Sequence, residues 1–119
     1  MTSTSTAAAV AGATGDPAGA QQLTAVAGLC KASADPLRLQ VLRVLRNDSF
    51  GVSELCYLFD IRQPALSHHL KVLANAGLVA TRREGNSIFY RRSELGQRPS
   101  LETLQHSLFE TVDRMPLPK

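Results

Sequence analysis

Several residue types that build common protein architectures are scarce in this sequence. Its 119 residues contain no tryptophan, and aromatic residues make up only 5%. The core must therefore be built from leucine, valine and alanine, a composition typical of packed helices. The two cysteines, Cys30 and Cys56, are too few for the disulfide framework of a small secreted domain, which indicates a reducing compartment.

Long apolar segments and catalytic motifs are also missing. No run approaches the roughly 18 apolar residues that a membrane span requires, and the N-terminus lacks the basic and apolar regions of a signal peptide. We therefore expect a cytoplasmic protein without a membrane partner. The sequence has no glycine-rich phosphate loop, no Ser-His-Asp set and no paired carboxylates, so we do not expect an enzyme.

Positive charge is concentrated in one part of the chain. Although the formal net charge is only +3, residues 62–92 contain six basic residues and a single acid. The remainder of the chain is net acidic. Such a segment is typical of a surface that binds a polyanion, because neutralised phosphates release their condensed counterions.

Composition also divides the chain into a tail and one domain. Residues 1–20 are almost entirely alanine, serine, threonine and glycine without a periodic apolar face, which predicts a disordered tail. Residues 21–115 carry the apolar periodicity of a folded domain, and the chain is too short for two domains.

Helical apolar spacing begins just after the tail. Val26, Leu29 and Cys30 describe one face of a first helix. Asp35 followed by Pro36 predicts the start of a second helix, because a carboxylate can cap the first turn and proline lacks the N–H that would be unbonded there.

Two further helices follow. Ser53 is expected to cap a short third helix with Leu55 facing inward. Pro64 falls in the first turn of a fourth helix, and Gly77 stands where a left-handed residue ends a helix. The apolar residues of the fourth helix recur at helical spacing: Leu66, Leu70 and Leu73.

The period changes to alternation after the fourth helix. Leu78–Arg83 and Ile88–Arg92 predict two strands of a hairpin, joined by a turn at residues 84–87. A last helix is predicted to open at Pro99-Ser100, with four apolar residues on one face: Leu101, Leu104, Leu108 and Val112. The predicted fold is mainly α with a small β-hairpin.

The third and fourth helices, with about three residues between them, have the proportions of a helix-turn-helix. The outer face of the fourth helix carries side chains suited to base edges or phosphates, and no glutamate occurs between residues 62 and 83. The candidate DNA contacts on this helix are Gln63, Ser67, His68 and Lys71. The hairpin would form a wing in which four arginines, Arg82, Arg83, Arg91 and Arg92, flank a small turn that could enter a minor groove or follow phosphates. The first three are the further candidate DNA contacts. Together these elements predict a winged helix-turn-helix that binds a double-stranded DNA operator.

The segment from Leu29 to Arg92 resembles the ArsR/SmtB family of bacterial repressors. The resemblance is carried by S-A-D-P-L-R-L-Q-V-L, V-S-E-L-C, S-H-H-L-K-V-L-A-N-A-G-L-V and the wing R-R-E-G-N-S-I-F-Y. It implies a homodimer formed through the first and last helices, released from DNA when an inducer binds. It also implies recognition-helix contacts for the four polar residues named above, whereas His69 would flank the core.

The metal sites of that family are incomplete in this sequence. Glu54-Leu55-Cys56 matches the start of the family's third-helix motif E-L-C-x-C, but Leu58 stands in place of the second cysteine. Of the last-helix motif only His106 is present. Because zinc needs about four N, O or S ligands, we expect no resident metal or other cofactor.

The inducer is left open by the sequence. Cys30 and Cys56 are the sensing candidates, as a dithiol switch or as ligands of a soft metal or metalloid, and two inert core thiols are the alternative. An organic inducer acting on the same fold is a further alternative. A different function, a winged helix that docks another protein, would require an apolar or acidic recognition face, which Lys71 and His68 argue against.

Overall fold

The computed structural model describes residues 17–94 and 101–116. Within these ranges the chain forms five helices and three strands. The helices are α1 (Pro17–Ser33), α2 (Pro36–Val44), α3 (Val52–Phe59), α4 (Gln63–Asn75) and α5 (Glu102–Val112). The strands are β1 (Phe50–Gly51), β2 (Val79–Glu84) and β3 (Ser87–Arg92).

Helix α1 begins earlier than the sequence predicts. Residues 1–16 of the predicted tail lie outside the described residues, but Pro17 already starts α1, so the boundary at residue 20 is placed too late. Alanine and glutamine favour the helix, and proline is tolerated in its first turn. Helix α1 therefore extends into the segment that was assigned to the tail from its composition.

The start of α2 is confirmed. One carboxylate oxygen of Asp35 accepts hydrogen bonds from the backbone N–H groups of Leu37 at 2.8 Å and Arg38 at 3.2 Å. Burial alone raises the pKa of Asp35, but these two backbone hydrogen bonds and the nearby Arg38 hold that pKa below its usual value. The cap thus favours a charged carboxylate at the positive end of α2.

The start of α3 differs from the prediction. The helix begins directly after β1, with Gly51 as its cap residue, and Ser53 is an exposed residue of the first turn. Glu54 completes the cap, because its carboxylate accepts a hydrogen bond from the Gly51 N–H at 2.8 Å. The pairing of Gly51 with Phe89 in β3 fixes this start, which no local sequence signal indicates.

The core is built from leucines at the spacing that the sequence predicts. Leu66, Leu70 and Leu73 of α4 are completely buried and form one cluster with Leu42 of α2 and Leu55 of α3. Each such side chain stabilises the fold by about 1.5 to 3 kcal/mol relative to leaving it in water. One face of helix α4 thereby packs against the core, and the opposite face is exposed to solvent.

The predicted hairpin forms, with each strand end within one residue of the prediction, and Gly85 and Asn86 form a two-residue turn between Glu84 and Ser87. Gly85 has a φ of 61°, a left-handed conformation that such a turn requires and glycine adopts without strain. The sheet has a third strand that was not predicted, since β1 is only two residues long and pairs antiparallel with β3. The strand order is β1-β3-β2.

Helix α5 packs through only part of the predicted face, on which Leu108 is partly buried against the core. Leu101 and Val112 are buried as expected, but the positions between them on the inner face are Gln105 and Phe109. Leu104 is instead 47% exposed. Gln105 donates a hydrogen bond from Nε2 to the Gly77 carbonyl at 3.5 Å, which fastens α5 to the end of α4. The predicted opening at Pro99-Ser100 lies outside the described residues.

In the two described ranges, no helix is both long enough and apolar enough to cross a membrane.

Candidate nucleic-acid interface

A sharp turn joins α3 to α4. Asp60 ends α3 with a φ of 52° and is the one residue other than glycine with a positive φ in the described ranges. Aspartate tolerates this conformation better than most residues. The next residue, Ile61, donates its N–H to the Cys56 carbonyl at 3.1 Å, which closes the turn. This geometry orients α4 across the end of α3, as in a helix-turn-helix.

The outer face of α4 carries the side chains that the sequence singled out. All four are exposed: Gln63, Ser67, His68 and Lys71. Asn75 extends the same exposed face by one more turn. Because the opposite face is anchored by the buried leucines, these hydrogen-bonding groups are presented on a rigid helix.

The N-terminus of α4 is open to an external anion. No side chain of the described ranges caps it, in contrast to the carboxylate of Asp35 at the start of α2. Pro64 has no N–H. The other backbone N–H groups of the first turn point out of the helix end, where the helix dipole is positive. Helix α4 also contains no acidic residue. A phosphate would be favoured at this end.

The two adjacent histidines of α4 face different surroundings. His68 is exposed, whereas His69 is half-buried with Nδ1 at 3.0 Å from Nη1 of Arg38. Their ring centroids are 5.9 Å apart and the ring planes are inclined by 57°. The pair therefore does not converge on one point, and within the described ranges no three His, Cys, Asp or Glu residues form a group that could hold a metal ion.

The wing presents arginines on both of its faces. Arg82 lies opposite Phe89 and Arg91 opposite Ala80, so these two arginines share one face. Arg83 lies opposite Ile88 on the other face. All three arginines are exposed, but Arg82 is held at 3.1 Å from the Glu84 carboxylate and its guanidinium carbon lies 5.2 Å from the centre of the Phe89 ring.

Arg92 does not belong to the exposed wing, which corrects the sequence interpretation. Its guanidinium bonds both carboxylate oxygens of Asp113 and the Leu42 carbonyl, and lies 4.2 Å from the centre of the Phe109 ring. The hydrogen bond from Arg92 is the main cause that lowers the pKa of Asp113 below its usual value. Strand alternation turns Arg92 away from the face of Arg91, and its place opposite Val79 at the base of the hairpin leaves its side chain only 12% exposed.

The family comparison agrees with this architecture. Residues 35–81 match the model of the arsR family of bacterial regulatory proteins. A biofilm growth-associated repressor from Agrobacterium fabrum is 49% identical over 78 residues, which cover 66% of this chain and 67% of that protein. The chain belongs to the ArsR family. Like its relatives, this ArsR-family member is a DNA-binding transcriptional regulator.

Solved structures of the ArsR type share the fold. Reduced HlyU from Vibrio cholerae superposes with a TM-score of 0.59 at 32% identity, covering 76% of this chain and 92% of that chain. The homodimeric winged helix-turn-helix DNA-binding domain of Mb0332 from Mycobacterium bovis, described as a possible ArsR-family regulator, gives a TM-score of 0.64 at 29% identity. That match covers 79% of this chain and 83% of that chain. The predicted winged helix-turn-helix is confirmed.

The two cysteines of this ArsR-family chain occupy different environments. Cys30 is exposed on α1, so its interpretation as a core thiol is wrong. The helical periodicity placed it on an apolar face, but that face is only partly covered by the rest of the described chain. Cys56 is half-buried in α3 and packs against the core. Both are free thiols.

Two charged contacts of the ArsR-family fold were not anticipated from the sequence. Arg38 lies in the motif that carried the family resemblance, yet nothing in its spacing indicated contact with His69. Asp113 carries no sequence signal at all, because its partner Arg92 is distant along the chain. His106 is exposed, with Nε2 3.7 Å from a carboxylate oxygen of Glu110.

Proposed function

We propose that this protein binds a double-stranded DNA operator as a homodimer and represses transcription until an inducer releases it. The observation that carries the proposal is the outer face of α4, which is polar, exposed and free of acidic residues while the inner face is locked into the core. A DNA regulator of this kind acts in the cytoplasm and needs no catalytic chemistry, resident metal or other cofactor.

The recognition helix would enter the major groove. Ser67 and His68 lie in the first half of α4, from which recognition helices contact base edges, and Gln63 begins the helix beside its open N-terminus. Lys71 lies farther along the same face and fits an adjoining phosphate. Arg83 and Arg91 of the wing would contact phosphates or the minor groove, and Arg82 would do so after releasing Glu84.

Exposed apolar side chains on α1 and α5 support the homodimer. Leu23 is 55% exposed on α1 and Leu104 is 47% exposed on α5. A groove beside α1 is lined by Ala25, Gly28 and Val72, and a Cβ added at Gly28 would meet no atom within 4 Å. A two-fold dimer through these helices would cover both leucines. Its two recognition helices would then meet major grooves about 34 Å apart, which predicts an imperfect palindromic operator.

Release from DNA would be triggered by an inducer that acts through the two cysteines. Oxidation of Cys56 with Cys30, or capture of a soft metal or metalloid by these thiols, would act close to α4, because the Cys56 carbonyl accepts the hydrogen bond that closes the turn before it. An organic inducer bound by the same fold is the alternative.

The decisive experiment is titration of the purified protein on the DNA upstream of its own gene, at several salt concentrations. We expect specific binding that weakens steeply as salt rises, because each phosphate contact releases a counterion. Reducing and oxidising conditions, with and without arsenite or cadmium, then test for release. Binding that is weak, independent of salt and equal on random DNA would contradict the proposal and favour a protein-docking winged helix.

A further inference from the structure

We propose that Arg38 is a positioning residue that couples α1 to the recognition helix α4 through His69, and thereby sets the half-site spacing that the dimer accepts. The inference rests on the proposed function, because it assumes that a homodimer binds two half-sites of DNA. It assigns a role to a buried side chain rather than to one of the exposed residues of α4.

The guanidinium of Arg38 joins three helices. It projects from α2 and is only 9% exposed. Its Nε donates to the Ala32 carbonyl at 3.0 Å and its Nη2 donates to the Lys31 carbonyl at 2.9 Å, both in the last turn of α1. Its Nη1 lies 3.0 Å from Nδ1 of His69 in α4. One side chain therefore ties the end of α1 to the middle of α4.

The chemistry of this contact makes it directional. Arginine has donors only, so Nδ1 of His69 must be the acceptor, and the ring proton must be on Nε2. The planar guanidinium offers its N–H groups in a fixed fork, so the three acceptors cannot move independently. A lysine at this position would supply a single point charge on a flexible chain and could not hold the same set of acceptors.

The position of His69 makes the contact relevant to DNA binding. It lies between His68 and Leu70, so a force on His69 acts on the same turn of α4 as the exposed residues Ser67 and His68. In the proposed dimer, α1 belongs to the interface and α4 contacts the groove. The angle between α1 and α4 therefore fixes how far apart the two recognition helices lie.

The experiment measures the preference for half-site spacing, because a purely structural role of Arg38 would leave that preference unchanged. The probe is the tightest duplex that the wild-type protein selects from a random-sequence DNA pool, together with versions in which one base pair is added or removed between its half-sites. Affinities are measured for wild type, Arg38→Met, His69→Leu and His69→Gln, and are corrected for active fraction by stoichiometric titration. Arg46→Met is the matched control, because Arg46 has a half-exposed side chain that contacts Asp113 rather than His69.

We expect wild type and Arg46→Met to lose about tenfold in affinity when the spacing changes by one base pair, comparable to the loss of a base contact. For Arg38→Met and His69→Leu the same change in spacing should lower the affinity by less than about threefold, because α4 can reorient in these variants. Both variants should also bind the best duplex more weakly than wild type does. His69→Gln should keep the wild-type spacing preference, since its amide oxygen can accept from Arg38.

The outcomes separate this inference from the proposal on which it rests. If Arg38→Met and His69→Leu keep the wild-type spacing preference, Arg38 only stabilises the fold and the coupling is overturned. If Arg38→Met fails to fold, the comparison of His69→Leu with His69→Gln decides, and equal spacing preferences in the two would overturn the coupling. If the wild-type protein selects no sequence from the pool, the proposed function itself fails, and the coupling fails with it.

Discussion

Arg92 donates hydrogen bonds to both carboxylate oxygens of Asp113, at 2.7 Å and 3.1 Å. The side chains are 12% and 18% exposed, so the pair is largely removed from water. It joins the end of β3, at the base of the wing, to the end of α5. Arg46 adds a second contact to the same carboxylate at 3.5 Å. The Arg92–Asp113 pair, rather than the half-exposed Arg46, thereby fixes the wing to the helix proposed to form the dimer.

Asp113→Asn should destabilise the fold by about 1 to 3 kcal/mol at pH 7, because Arg92 would lose its charged partner while staying mostly buried. The pKa of Asp113 is lowered in the folded state, so its contribution is present above the unfolded pKa and is lost as pH falls through the folded pKa. Urea unfolding at several pH values should show wild type losing more stability in acid than the variant. The exposed Glu110, replaced by Gln, is the control and should change stability by less than about 1 kcal/mol.

Ser67→Ala and His68→Ala should each weaken binding to the operator by about 1 to 3 kcal/mol, because both side chains project from the proposed base-contacting face. Binding to random DNA should change much less. Thr103→Ala, an exposed position on α5, serves as the control. Equal losses on operator and random DNA would assign His68 to a phosphate contact instead.

Arg83→Ala should weaken binding to all DNA sequences alike and reduce the salt slope by about one, as the loss of one phosphate contact does. Arg82→Ala should have a smaller effect, since Arg82 is already paired with Glu84. Affinities measured over a series of salt concentrations on operator and random duplexes test both. An unchanged salt slope in Arg83→Ala would remove this residue from the interface.

Cys56→Ser should abolish release from DNA by a thiol-reactive inducer, because Cys56 packs in the last turn of α3 and its carbonyl accepts the hydrogen bond that closes the turn into α4. Peroxide, polysulfide, arsenite and cadmium are the inducers to test. Cys30→Ser is the comparison, and a similar loss there indicates that the two thiols act together. If the double variant folds, binds its operator and still responds to the physiological signal, an organic inducer becomes the better explanation.

Leu104→Glu should weaken the homodimer without unfolding the subunit, because Leu104 is 47% exposed in the isolated chain. Burying a charge in an apolar interface is costly, so the dimer dissociation constant should rise by about tenfold or more. Sedimentation equilibrium measures this directly. The neighbouring exposed residue Thr103, replaced by Glu, controls for the added charge, and equal effects of the two would place the interface elsewhere.

The sequence predicted those parts of the fold that local physics determines. Leu66, Leu70 and Leu73 recur at the helical period, and Asp35 caps with its own side chain, so both could be identified without tertiary information. Gly77 has a φ of 78°, the left-handed conformation predicted for the residue that ends α4. The exposure of the proposed contacts on α4 follows from the same period.

The remaining features depend on contacts between distant segments. The sequence does not distinguish Arg92 from its neighbour Arg91. The pairing of β3 with β2 places Arg92 on the inner side, where it contacts Asp113. Gln105 is buried where leucines were expected on the inner face, because the Gly77 carbonyl accepts its side-chain hydrogen bond. Neither partner is adjacent in sequence, so no periodicity could reveal them.

The alternation of the wing also restricts how its length can vary among descendants of this gene. Arg82 and Arg91 share one face of the hairpin, and Arg83 lies on the other. Inserting or deleting one codon in only one strand would exchange these faces, because side chains alternate with a period of two. Matched changes in both strands would preserve them. Drift in wing length should therefore proceed by compensated pairs of insertions or deletions, one on each side of the Gly85-Asn86 turn.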